Sequence, residues 1–291
     1  MSDHDKNNVD EVTGIETTGH EWDGVKELNN PLPRWWLSIF YATIVFSIGY
    51  MIAYPAWPML TDYTRGVLGY SSRDEVRQAI VDHRESQAVW RDRIAAADLE
   101  TIRGDAELSG FAIQAGRAAF AVNCSQCHGS GAAGAEAQGY PNLNDDAWLW
   151  GGEIEEIHQT IAHGVRNASD ESRYSEMPVF GEILEEPEID AATQFVLSLG
   201  GLPHDAQLSA QGAVVFEDNC SSCHGSEGEG DPYQGAPRLA DAIWLFGGDA
   251  DSIANQIRQP RHGVMPAWSE RLDDTTVKSL AVYVHALGGG Q

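Results

Sequence analysis

The chain opens on 33 residues without apolar periodicity, carrying eight Asp and Glu against Lys6 and Lys26. Such a segment predicts a disordered or loosely ordered tail. Trp22 and residues 27–33 read either as an ordered contact at a membrane surface or as a flexible lead-in. From Trp35 to Tyr54 the pattern reverses, with 20 residues and no charge. That length spans a bilayer as a helix. Trp35 and Trp36 at one end, with Tyr54 and Trp57 at the other, suit the two interfaces, and Pro55 and Pro58 close the segment. No positive leader or small-residue cleavage site accompanies it, so it reads as a retained anchor and not as a cleaved signal. The expected boundaries are a polar tail at 1–34, a transmembrane anchor at 35–58 and a helical connector at 59–108. Within the connector, Ser72-Arg73-Asp74-Glu75 has capping-box spacing. Val76, Ile80, Val89, Trp90 and Ile94 give a partial stripe that predicts one helix, packed on a partner or on the domain that follows.

The rest of the chain is one pattern written twice. Gly116, Phe120, Cys124, Cys127, His128 and Gly129 recur as Gly212, Phe216, Cys220, Cys223, His224 and Gly225, an offset of 96. Pro141, Leu143, Trp148, Leu149, Gly151 and Gly152 recur as Pro237, Leu239, Trp244, Leu245, Gly247 and Gly248 at the same offset. Met177-Pro178 and Phe195-Val196 then match Met265-Pro266 and Tyr283-Val284 at an offset of 88, because the first copy holds eight more residues around Asn167 to Tyr174. Fixed self-similarity marks a repeated unit. The expected domains are therefore 109–202 and 203–291, each a helix, a C-x-x-C-H segment, a Gly-rich loop, a short helix, a Met-Pro loop and a final helix. The expected fold class is all-α: one N-terminal transmembrane helix followed by two tandem domains whose layout resembles that of class I cytochrome c.

C-x-x-C-H is the attachment signature of a c-type haem. Two thiols a helical turn apart form thioethers with the haem vinyls, and the following His binds the iron. Cys124, Cys127, Cys220 and Cys223 use up every cysteine in the chain, and they predict two covalent haem c groups with His128 and His224 as proximal ligands. Only Met177 and Met265, of five methionines, lie in the repeats, each in a loop before Pro. They are the candidate sixth ligands. His158, His163, His262 and His285 have no counterpart at the repeat offset and read as surface or packing residues. Phe120 and Phe216 are expected between the first and last helices of each domain. Trp148 and Trp244 read either as core packing or as haem walls whose indole N–H reaches a propionate. Arg166, with Arg258 or Arg261, reads either as a propionate partner or as solvated charge.

The formal net charge of −26 argues against nucleic acid as a partner. It suits either a docking field for a basic protein or general solubility in salt. Lysine and arginine bias across the anchor is weak. Covalent haem attachment takes place outside the bacterial inner membrane, which sets the tail as cytoplasmic and the haem domains as periplasmic.

Asn29-Asn30-Pro31-Leu32-Pro33-Arg34-Trp35-Trp36 before one span, the paired Trp-Leu-Trp/Phe-Gly-Gly stretches and the Met-Pro loops resemble the membrane-anchored dihaem subunit family of cbb3-type cytochrome c oxidases. The likeness covers nearly the whole chain, although the long tail and strong acidity depart from it. It implies electron entry: a donor cytochrome c reduces these haems, which serve a monohaem subunit and then a catalytic haem–copper subunit. No catalytic residues are expected in this chain. A membrane-tethered dihaem carrier acting alone, and a dihaem peroxidase or gas sensor, are the competing readings. The last two need an open axial position.

Overall fold

The computed structural model describes residues 9–135, 137–241 and 243–290. The chain forms two compact units, Met1–Glu85 and Ser86–Gln291.

The first unit corrects the expected tail. Strands β1 (Thr17–Trp22) and β2 (Val25–Leu28) pair antiparallel across Asp23-Gly24. Both turn residues have positive φ (49° and 83°), the conformation that a two-residue hairpin of right-handed twist demands and that Asp-Gly tolerates. Residues 1–8 of that expected tail lie outside the described residues. Helix α1 runs Arg34–Ala53, is long and apolar enough to cross a membrane, and buries none of its side chains in the protein. Tyr54 to Pro58, expected within the span, lie beyond its end. There the chain folds back, and the amides of Val67 and Leu68 donate to the carbonyls of Ile52 and Ala53 at 3.0 and 3.1 Å. Two carbonyls orphaned at the helix terminus are thereby satisfied.

Helix α2 (Ser72–Ala96) begins one residue before the expected cap position would allow: Ser71, not Ser72, accepts the Asp74 amide through its hydroxyl at 3.3 Å. Of the predicted stripe only Ile94 is buried, while Trp90 stacks on Phe111 at 6.0 Å; Val76, Ile80 and Val89 are exposed. A separate short helix α3 (Leu99–Gly104) follows.

The second unit contains α4 (Ala106–Asn123), α5 (Ser125–His128), α6 (Ile154–His163), α7 (Glu186–Leu199), α8 (Ala206–Asn219), α9 (Ser221–His224), α10 (Ala250–Arg258) and α11 (Asp274–His285). Asp105, Asp205, Asp249 and Asp273 cap α4, α8, α10 and α11, each accepting backbone amides, so part of the acidity is structural.

The repeats and the hydrophobic cores do not coincide. One core joins Leu108, Ala112 and Phe120 of α4 and Ile154, Ile157 and Ile161 of α6 to Val277, Leu280, Ala281 and Val284 of α11. The other joins Phe216 of α8 and Ile253 and Ile257 of α10 to Ile189, Ala192 and Val196 of α7. The last helix of each repeat has crossed to the other. The expected partition at residue 202 therefore divides the sequence copies and not the packed bodies.

Two glycines permit the crossings. A Cβ at Gly116 would overlap the Ser279 carbonyl oxygen and Tyr283 Cβ, and one at Gly212 would overlap the Ala191 carbonyl. Gly in a helix interior costs about 1 kcal/mol against Ala, so its presence here is bought by close approach of backbones. Beside them Phe120 meets Tyr283 edge-on at 5.5 Å, and Phe216 meets Phe195 at 5.0 Å. The phenylalanines do sit between first and last helices, as expected, but the last helix belongs to the other copy.

Gly116→Ala should destabilise the second unit by about 2 kcal/mol, the scale of an overpacked core. The thermal midpoint should then fall by on the order of 5 °C. Gly110→Ala, on the same helix with open space around it, should leave the midpoint level or raise it. Calorimetry of the two variants checks the contrast.

Candidate haem site

Each C-x-x-C-H segment forms where a long helix gives way to a four-residue one. Cys124 ends α4 and begins α5; its carbonyl accepts the amides of Cys127 and His128 at 3.1 and 3.0 Å. Cys220 does the same for Cys223 and His224, also at 3.1 and 3.0 Å. One helical turn thus brings both thiols and the imidazole to one side. Gly129 and Gly225 end these turns at φ 78° and 75°, which favours glycine.

The imidazoles are oriented from behind. His128 Nδ1 lies 3.2 Å from the Pro141 carbonyl and His224 Nδ1 lies 2.9 Å from the Pro237 carbonyl. A carbonyl accepts only, so Nδ1 carries the proton and Nε2 keeps its lone pair for a metal. Burial depresses the basicity of both rings against the smaller opposing effect of these hydrogen bonds, which favours the neutral, ligating form. Burial also pushes the Cys124 and Cys220 thiols up to about 11, with a smaller contribution from Cys127 and Cys223 respectively.

Met265 packs with the core that holds Cys124, and Met177 with the core that holds Cys220. The crossing is fixed by backbone. Val165 and Met265 exchange amide–carbonyl bonds at 3.0 and 2.9 Å, and Asn167 Nδ2 donates to the Met265 carbonyl at 2.7 Å. Both C-x-x-C-H segments and both methionines line one continuous cavity of about 470 Å³, walled by apolar side chains from both cores. Paired thiols, a preset imidazole and a thioether facing an apolar cavity are the donor set of a haem c site. The indole N–H of Trp150, another lining residue, is buried without a protein acceptor, as a site completed by a polar cofactor edge would leave it.

Other expectations divide. Trp148 gives its indole hydrogen to the Gly289 carbonyl, so it cannot reach a propionate. Gly152 and Gly248 leave room for the rings of Trp148 and Trp244, since a Cβ at either would crowd the indole, and this accounts for the Gly-Gly spacing. Arg258 forms a two-point pair with Glu186 at 3.0 and 2.7 Å. Arg261 lies over the Phe246 ring at 4.6 Å. His163 pairs with Glu171 at 3.1 Å, His158 buries an unpartnered Nε2, and His285 lies 3.5 Å from Arg103; His262 lines the cavity. The eight-residue insertion folds onto α6: Arg173 pairs with Glu156 and lies over Trp150 at 5.4 Å. The Trp-Leu-Trp/Phe-Gly-Gly pairing included Trp150 and its counterpart Phe246, but it gave Trp150 no role at the site, since a Phe in the other copy carries no N–H.

Fold and site together define a c-type cytochrome with an N-terminal anchor. Residues 14–61 match the family described as the N-terminal domain of cytochrome oxidase-cbb3, FixP. Residues 111–196 and 207–284 match that of cytochrome c oxidase, cbb3-type, subunit III. The chain is 56% identical to the cbb3-type cytochrome c oxidase subunit FixP of Rhizobium meliloti over 292 residues, covering 100% of both. It is 51% identical to the subunit CcoP of Cereibacter sphaeroides over 278 residues, 94% of this chain and 95% of the other. Identity to FixP of a Bradyrhizobium strain is 48%, with 100% of both covered. The chain belongs to the cbb3-type cytochrome c oxidase subunit III family, and haem c is the cofactor of its cytochrome domains.

Thiol chemistry checks the site geometry. Cys127 and Cys223 are exposed while Cys124 and Cys220 are half-buried with raised pKa, a contrast that labelling of chain prepared without haem would read. Because the thiolate is the reactive form, iodoacetamide near neutral pH should label the second cysteine of each motif roughly tenfold faster than the first. Equal rates, read by peptide mass mapping, would contradict the geometry.

Proposed function

We propose that the chain is the electron-entry subunit of a cbb3-type oxidase, accepting electrons from a donor cytochrome c. It would pass them to a monohaem cytochrome c subunit and then to the catalytic haem–copper subunit. Two haem c groups are held, one by Cys124 and Cys127 and one by Cys220 and Cys223. His128 and Met265 would hold the iron of the first, and His224 and Met177 that of the second. The supporting observation is the pairing of each C-x-x-C-H segment with the methionine of the other repeat within one core. Haem iron supplies reversible one-electron chemistry, its potential set by axial ligands and burial. The chain's part is to offer a histidine and a methionine to each iron, exclude water with Phe120, Phe216 and the crossed helices, and hold each imidazole with its proton on Nδ1 through the Pro141 and Pro237 carbonyls. The helix Arg34–Ala53 anchors the chain among membrane lipid, with the tail cytoplasmic and the haem domains at the periplasmic side of a bacterial inner membrane.

Copurification tests the assignment to a complex. Mild detergent extraction should bring down the haem–copper and monohaem subunits with this chain. A chain that runs alone would favour an independent tethered carrier, and rapid carbon monoxide binding at either reduced haem would favour a peroxidase or sensor.

Axial pairing has its own test. With the second haem removed by Cys220→Ser and Cys223→Ser, Met265→His should abolish the near-infrared sulfur-to-iron band and lower the remaining potential, whereas Met177→His should leave both unchanged. The opposite result would pair each histidine with the methionine of its own repeat.

A further inference from the structure

Arg166 lies where the methionine loops of the two repeats cross. Its Nε donates to the Gly263 carbonyl at 2.7 Å and its Nη1 to the Ser175 carbonyl at 2.9 Å. Ser175 and Gly263 are counterparts at the offset of 88, and each stands two residues before a methionine, Met177 or Met265. A single guanidinium therefore bonds the same carbonyl in both copies of the methionine loop. Its rigid fork sends donors from separate nitrogens in fixed directions, whereas a lysine ammonium offers a single nitrogen with rotatable donors. The backbone at Arg166 adopts φ 50°, a left-handed conformation that a non-glycine residue holds only when its surroundings impose it.

The charge is also unusual. Arg166 is half-buried, lines the cavity shared by both methionines, and makes no ion pair among the described residues. Burial lowers its basicity, opposed by the nearby Glu176 and Tyr174. A partly desolvated cation facing a cavity calls for an anion there, and a haem brings two carboxylates. The other candidate cations are placed differently: Arg258 is held by Glu186, Arg173 by Glu156, and Arg261 bonds the carbonyls of Ala137 and Phe246.

We infer that Arg166 is a positioning residue shared by both haem sites, one guanidinium fixing both methionine loops and presenting its charge to haem carboxylates at the seam. The inference rests on the haem reading above. It makes the two irons respond together to a change at one side chain that touches neither.

The test uses the full anchored chain with Arg166→Lys, which keeps the charge but loses the fixed two-nitrogen fork, and Arg166→Gln, which removes the charge. Covalent haem content is measured first, and two haems per parent chain are required by the functional reading. Fewer in the parent would defeat that reading, independently of Arg166. In both variants the sulfur-to-iron band should weaken by more than half, beyond what loss of one methionine ligand gives. Both midpoint potentials should fall together, further for Arg166→Gln than for Arg166→Lys. A change confined to one haem, or no change in band and potentials with haem content intact, would overturn the inference.

Discussion

Close approach of two helix pairs, allowed by Gly116 and Gly212, is the constraint on which the haem-bearing unit depends. At each crossing a glycine lies against backbone of the final helix from the other repeat, and a buried phenylalanine seals the contact with an aromatic partner. A side chain at either glycine would force the backbones apart and open the core that walls the cavity. Neither repeat has a complete hydrophobic core of its own, because α11 closes the body begun by α4 and α7 closes the one begun by α8.

The physical reason for the exchange lies in the connection between the copies. Helix α7 ends at Leu199 and α8 begins at Ala206. Helices joined by so short a loop pack as antiparallel neighbours, and a local pairing has the smaller loop-closure cost. Once α7 is taken by α8, α4 must find its partner in α11. The seam this creates is narrow and polar: Val165 paired with Met265, Arg166 bonded to Gly263 and Ser175, and Asn167 reaching the Met265 carbonyl. The two methionine loops are therefore mechanically one structure, although the copies differ by the eight-residue insertion braced on α6.

Much of this was legible in the residues. The uncharged run from Trp35, the two C-x-x-C-H segments and the matched methionines fixed anchor, cofactor and candidate ligands, since each needs particular residue types at a particular spacing. The offsets of 96 and 88 revealed the repeat but could not show which copy of α7 and α11 packs where. Identical apolar patterns fit either arrangement, and only the length of the 200–205 loop discriminates. The N-terminal hairpin was hidden under an acidic composition, though Asp23-Gly24 carried its turn chemistry. Trp148 stayed undecided between core packing and a propionate contact because its indole acceptor, Gly289, lies 141 residues away. Arg166 stood in the sequence only as one of several arginines near a methionine; its two-sided role exists only after the two methionine loops cross.

The exchange of final helices is the central claim, and ring-to-ring nuclear Overhauser contacts in the reduced, phenylalanine- and tyrosine-labelled protein test it most directly. The account predicts a cross-peak between Phe120 and Tyr283, whose ring centres lie 5.5 Å apart, and one between Phe195 and Phe216 at 5.0 Å. Cross-peaks between Phe120 and Phe195 and between Phe216 and Tyr283 would contradict it, showing two domains that each fold from a single repeat.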